Sequence, residues 1–196
     1  KRTIVVIGHH GEEVEGLYPK AEVEFVWQRE RLGTGHAVRQ AEHVLRSHQG
    51  HVLVLLGDAP CVRPHTIQEL LGLHSQSHAA ATILSAEVDD PTGYGRIVRA
   101  SDGSVDRIVE HREADDKVRA IREINSGMIA FQSEALWANV ERIGNENSQG
   151  EYYLTDVIGL LRADGQKVMA YIAPDSREVL GVNSPDDLRL LEKLFP

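Results

Sequence analysis

The stretch Val52-Leu53-Val54-Leu55-Leu56-Gly57-Asp58-Ala59-Pro60 constrains this chain more than any other. An unbroken apolar run that stops at turn residues reads as a strand buried on both faces, the habit of a parallel sheet. Gly57 permits a tight exit, and Pro60 cannot continue a ladder. Asp58 therefore stands just past the carboxyl end of a central strand, where open α/β sheets bind their ligands. A carboxylate in such a turn suits a metal ion that carries phosphates. It equally suits a cap on the turn or on the following helix, and the strand alone does not separate the two.

The rest of the chain alternates in the same way. Thr3 to Gly8 reads as a second buried strand, and Gly11 to Tyr18 as a short helix. Phe25 and Trp27 alternate with Glu22 and Glu24 in a half-exposed strand. A glycine loop, Leu32-Gly33-Thr34-Gly35-His36, then opens a helix whose Ala37, Val38, Ala41, Val44 and Leu45 share one face. Beyond the central strand come a helix from Pro64 to His74 and a strand from Ala80 to Val88. Arg96 to Arg99 and Val105 to Glu110 are two strands joined near Asp102-Gly103, a hairpin signal. Glu123 to Phe131 is a long strand. Ser133 and Thr155 are expected to cap helices, Gly165 to end one in a left-handed turn, and Pro185 to open the last. This order predicts an α/β protein of one domain. Its sheet is Rossmann-like and mixed, with an antiparallel insertion after residue 88.

Composition narrows the function. A net charge of −9 argues against coating a nucleic acid. The single cysteine, Cys61, forbids an internal disulfide and fits a reducing, cytoplasmic setting. No apolar run reaches the ~20 residues that span a bilayer. An acidic protein that binds an anion must supply local positive potential, from helix N-termini, placed cations or a divalent ion.

The glycine loop offers free N–H groups at a helix start, which suits an anion or a carbonyl, but it reads equally as a plain strand-to-helix turn. It matches neither a Walker loop nor a dinucleotide fingerprint. Glu110, Asn125 and Asn183 are polar residues at strand ends or before a helix. Gathered at one rim, they suit sugar hydroxyls and an acetamido group; separately, they suit turns and caps. The histidines lack zinc-ligand spacing, and most are expected at the surface.

These blocks together resemble the bacterial N-acetylglucosamine-1-phosphate uridyltransferases. The similarity runs through Gln28…Leu32-Gly33-Thr34-Gly35-His36-Ala37, Leu56-Gly57-Asp58-x-Pro60, Asp90-Pro91-Thr92-Gly93-Tyr94-Gly95-Arg96-Ile97 and Ile108-Val109-Glu110-His111. It continues through Glu123-Ile124-Asn125-Ser126-Gly127, Asn147 to Asp156 and Gly181-Val182-Asn183, in family order from one end to the other. The resemblance implies the nucleotide-diphospho-sugar transferase fold and synthesis of UDP-N-acetylglucosamine, a cell-wall precursor, from UTP and N-acetylglucosamine 1-phosphate. It implies that Gln28, Gly33 and Thr34 contact the uracil. Gly95, Glu110 and Asn125 would bind the N-acetylglucosamine, with Tyr153 and Thr155 shaping that side of the pocket. Asp58 and Asn183 would hold Mg²⁺. It also implies parts not found in these residues: a first strand with a glycine-rich phosphate loop, and a C-terminal β-helix that carries acetyltransferase activity and trimer contacts. The expectation is therefore a portion of the uridyltransferase domain. Two other readings stay open: transfer to a different sugar 1-phosphate, and a chain that binds nucleotide sugar without turnover.

Overall fold

The computed structural model describes residues 2–18, 22–147, 149–182 and 184–194. Strands β1 (Ile4–Ile7) and β2 (Glu24–Trp27) are parallel, joined through helix α1 (Gly11–Leu17), and form a two-stranded sheet. Helix α2 (Thr34–Leu45) leads to β3 (His51–Val54), and α3 (Pro64–Ser77) leads to β4 (Ala81–Glu87). The hairpin β5 (Arg96–Arg99) and β6 (Val105–Val109) precedes the short α4 (Asp116–Arg119) and the long β7 (Glu123–Gln132). Helices α5 (Ser133–Val140) and α6 (Asp156–Ala163), strand β8 (Val168–Ile172) and helix α7 (Pro185–Leu194) complete the order.

The main sheet is six-stranded and mixed, in the order β6-β5-β7-β4-β8, with β3 also on β7. Side chains of a strand alternate between faces, and here that alternation builds two cores. Ile83, Ile129 and Phe131 face one cluster with Leu136, Trp137, Ile158 and Leu161 of α5 and α6. Leu84, Met128 and Ala130 face the other, with Leu70 of α3. The chain is thus a sheet between two helical layers, the mixed α/β fold expected.

Several details differ from expectation. The run at Val52 does not lie in a parallel neighbourhood: β3 is antiparallel to β7, with Val54 opposite Ile129. Its ladder ends at Val54, and Leu55 is 47% exposed. Continuous apolarity reports that both faces meet apolar neighbours, not which way the neighbouring strand runs. Ser133 is not a cap: α5 starts at Ser133 itself, whose hydroxyl donates to the His48 carbonyl at 2.7 Å and accepts from the Trp137 indole at 3.1 Å. Thr155 precedes α6 but makes no side-chain cap bond. His74 is not a surface residue. It is fully buried, 2.9 Å from the Thr82 hydroxyl, and burial pulls its pKa down to about 4. The Asp-Gly hairpin and Gly165, with its positive φ of 72°, fall where expected.

Candidate active site

Four of the predicted site residues, Asp58, Gly95, Glu110 and Asn125, gather where β3 ends and β5 begins along one edge of β7, while Gln28 belongs to the two-stranded sheet. Gln28 follows β2, Asp58 follows β3, and Glu110 follows β6. Gly95 precedes β5, and Asn125 lies near the start of β7; the single antiparallel bridge Arg96↔Ile124 and the pair Arg96↔Val109 bring these two strand starts and the end of β6 together.

Contacts tie these positions together. The Asn125 N–H donates to the Gly95 carbonyl at 2.8 Å. Gly95 faces Glu110 so closely that a Cβ there would sit 3.3 Å from Glu110 Oε1 and 3.1 Å from Ile108 Cγ2. Asn125 Oδ1 accepts from the Gly127 N–H at 3.0 Å. Gly127 has φ +81° and leaves room for Leu56, the residue before Gly57-Asp58, whose Cδ1 would lie 2.8 Å from an added Cβ. The Asp58 carbonyl accepts from Val182 N–H at 2.7 Å, which ties the Asp58 turn to the segment before Asn183. Asn183 itself lies outside the described residues.

The glycine loop docks on the segment that carries Tyr153. Gly35 N–H donates to the Tyr152 carbonyl, and Tyr152 N–H to the Leu32 carbonyl, both at 2.8 Å. The Thr34 hydroxyl accepts from Leu154 N–H at 3.0 Å, so this side chain holds the loop in place. Gly33 has φ +97°, and a Cβ there would lie 2.6 Å from the Tyr152 carbonyl. Gln28 reaches back to this loop, donating from Nε2 to the Gly33 carbonyl at 3.0 Å.

A cavity of about 290 Å³ opens beside Glu110, Tyr153 and Thr155. Glu113, Glu146, Asn147 and Asp156 also line it; none of the four has a site role in the sequence reading, although Asn147 and Asp156 bound one of the blocks that carry the resemblance. Burial, then Glu113 and Asp156, hold the Glu110 carboxyl above its usual range. Partial desolvation and Glu113 do the same for Asp156. Burial and the carboxylates of Glu151 and Glu110 push the Tyr153 phenol up. This negative wall repels phosphate and suits a neutral ligand rich in hydroxyl donors.

Asp58 differs in kind. Its carboxylate is exposed and accepts no hydrogen bond or ion pair from any described residue. No group of three or more His, Cys, Asp or Glu among the described residues forms a closed metal site. A cation held at Asp58 would take most of its ligands from substrate and water.

A larger opening of about 860 Å³ lies between the α2–β3 turn and the start of α5. It holds none of the predicted site residues.

The nucleotidyl transferase family pattern matches residues 2–179. The chain belongs to that family. This nucleotidyl transferase is 47% identical over 182 residues to the bifunctional protein GlmU of Shouchella clausii, covering 93% of this chain and 40% of that protein. It is 44% identical over 195 residues to the bifunctional protein GlmU of Geobacillus thermodenitrificans, covering 100% of this chain and 42% of that one. The nucleotidyl transferase thus spans about 40% of the length of these curated relatives. Among solved structures it resembles a UDP-glucose pyrophosphorylase complexed with UDP-glucose, at TM-score 0.68 and 16% identity, covering 87% of this chain and 72% of that one. It also resembles HddC from Yersinia pseudotuberculosis complexed with GMP-PN, at TM-score 0.64 and 18% identity, covering 98% of this chain and 78% of that one. These last likenesses establish the fold, a mixed α/β sheet of the nucleotidyl transferase type.

Proposed function

We propose that this nucleotidyl transferase makes UDP-N-acetylglucosamine and pyrophosphate from UTP and N-acetylglucosamine 1-phosphate. One observation carries the reading: an acidic, phosphate-repelling cavity is joined to the turn of the unpartnered Asp58 carboxylate through Gly95, Asn125, Gly127 and Leu56. A substrate with a neutral, hydroxyl-rich end and an anionic end fits that division. The likeness to the GlmU relatives over nearly the whole chain supports the same substrate pair.

In the reaction, a phosphate oxygen of the sugar phosphate attacks the α-phosphorus of UTP. The bond from that phosphorus to the bridging oxygen breaks, and pyrophosphate leaves. The chain supplies position rather than a covalent nucleophile. Gln28, Gly33 and Thr34 seat the uracil against the glycine loop. Glu110 accepts from sugar hydroxyls, the Asn125 amide and Gly95 backbone hold the acetamido side, and Tyr153 and Thr155 close the wall. Asp58 and Asn183 would hold Mg²⁺, which would screen the repulsion between the two anions. The donor set fits, since the Asp58 carboxylate is free of cationic partners among the described residues.

The resemblance of the sequence blocks to the N-acetylglucosamine-1-phosphate uridyltransferases extends this proposal to a cytoplasmic whole protein that forms homotrimers through a C-terminal β-helix. Among the described residues no helix is long and apolar enough to cross a membrane. The test is pyrophosphate release by the full-length protein. Release should require UTP, N-acetylglucosamine 1-phosphate and Mg²⁺ together. Equal release with glucose 1-phosphate would overturn the sugar assignment, and release without added divalent ion would overturn the metal assignment.

A further inference from the structure

Gln28 stands at the end of a hydrogen-bond chain that nothing above explains. Its Nε2 donates to the Gly33 carbonyl and also lies 3.0 Å from His36 Nδ1. The other ring nitrogen, His36 Nε2, lies 3.1 Å from the Gln40 amide. All three side chains are half-buried.

The Gln28 amide nitrogen bonds the Gly33 carbonyl at 3.0 Å, the Gln40 amide nitrogen bonds the His36 carbonyl at 3.2 Å, and each also faces a His36 ring nitrogen, so one of the two amides must turn, and the longer carbonyl bond, that of Gln40, is the one to yield. A carbonyl oxygen only accepts, so the Gln28 NH₂ group must face Gly33. Its second hydrogen then points at His36 Nδ1, which must accept. A neutral imidazole that accepts at Nδ1 carries its proton on Nε2 and donates there. Gln40 then presents its oxygen to His36 Nε2 and gives up its 3.2 Å donation to the His36 carbonyl. The chain then runs from Gln28 N–H to His36 Nδ1 and from His36 Nε2–H to Gln40 Oε1. Both Gln28 amide hydrogens are used, and its Oε1 takes no partner among the described residues and is not enclosed. The Gly33 carbonyl also accepts from Ala37 N–H at 3.1 Å, so it restrains the Gln28 amide less than His36 does.

We propose that His36 is a positioning residue that sets base selectivity by locking Gln28 with its oxygen outward. This rests on the uridine reading above. An outward acceptor pairs with the N3–H of uracil. Cytosine placed in the same way offers a lone pair at N3, and two acceptors then face each other. Desolvated mismatches of this kind are what give a polar site its discrimination. Without an acceptor at the Nδ1 position the Gln28 amide turns freely, and its NH₂ can serve cytosine N3.

The experiment compares UTP and CTP, by calorimetric binding and by the ratio of kcat/KM, in the full-length protein. His36→Phe keeps an aromatic ring and removes both nitrogens. The UTP:CTP ratio should fall about tenfold, through weaker UTP binding and unchanged or better CTP binding. His36→Asn, which returns an acceptor near the Nδ1 position, should recover most of the ratio. Gln40→Leu frees the imidazole tautomer and should give an intermediate loss. A His36→Phe variant with wild-type thermal midpoint and an unchanged ratio overturns the assignment, as does a His36→Asn variant no more selective than His36→Phe. A wild-type protein indifferent to UTP and CTP overturns the uridine reading together with this assignment. A wild-type preference that survives in His36→Phe overturns this assignment alone.

Discussion

Gly33 and Asp58 show two opposite ways for a residue to matter. Gly33 combines φ +97° with a Tyr152 carbonyl 2.6 Å from where a Cβ would be. An L side chain there meets both backbone strain and a clash that no rotamer relieves. Gly33→Ala should cost about 2 kcal/mol in denaturant unfolding, and it should weaken nucleotide binding because the loop must shift off Tyr152. Asp58 holds nothing in the fold through its side chain among the described residues. Asp58→Ala should leave unfolding free energy within about 0.5 kcal/mol while pyrophosphate release is lost. Near-normal turnover in that variant would remove Asp58 from the metal site. As candidates, Asp58 was legible at a punctuated strand end and Gly33 in a glycine loop that opens a helix. His36, Glu113 and Asp156 were not, because their roles come from neighbours far away in the chain or from a half-buried rotamer, and neither leaves a local pattern.

Among the elements, the start of β7 is held by an ion pair. Arg99 of β5 donates to both oxygens of Glu123, from Nε at 2.8 Å and from a terminal nitrogen at 2.6 Å, while the Ser85 hydroxyl of β4 donates to the same carboxylate at 2.7 Å. Glu123 is only 9% exposed. Removing the cation leaves a nearly buried carboxylate with one neutral donor. Arg99→Met should therefore destabilise by about 3 kcal/mol in urea unfolding, and Arg99→Met with Glu123→Gln should recover part of that loss. Element type was largely legible, since the period of 2 in β7 and of 3.6 in α3 and α6 survives into the two cores. Element pairing was not. The apolar run at Val52 signalled a buried strand, yet its partner β7 lies 79 residues on and runs the other way, as the register Val52↔Phe131 shows. Such long-range choices are made by the fit of facing side chains, which a single strand does not encode.

For the whole molecule, two buried groups pull stability in opposite directions as acid is added. The folded pKa of His74 is lowered to about 4 by burial and by His51, which lies 4.7 Å away ring to ring. Between 6.5 and about 4 the unfolded chain binds a proton that the folded chain refuses, so this group costs stability as pH falls. Glu110 is shifted the other way, raised above 4.5 by burial and by Glu113 and Asp156. Above that value the folded chain holds the proton more tightly than the unfolded one, so acidification through its window adds stability. The wild-type dependence just above 4.5 is therefore a partial cancellation of the two. Glu110→Gln removes one side of it. That variant should be more stable than wild type at pH 7, where the wild-type carboxyl must ionise beside its acidic neighbours. It should also lose stability more steeply than wild type on going from pH 6.5 to 4.5, as His74 acts unopposed. Denaturant midpoints at these pH values measure both differences. Binding of the sugar phosphate should weaken about tenfold in the same variant, because a charged acceptor for hydroxyl donors becomes a neutral one. A gain in stability at pH 7 without a loss of sugar binding would mean that Glu110 is repelled by its neighbours for no functional return.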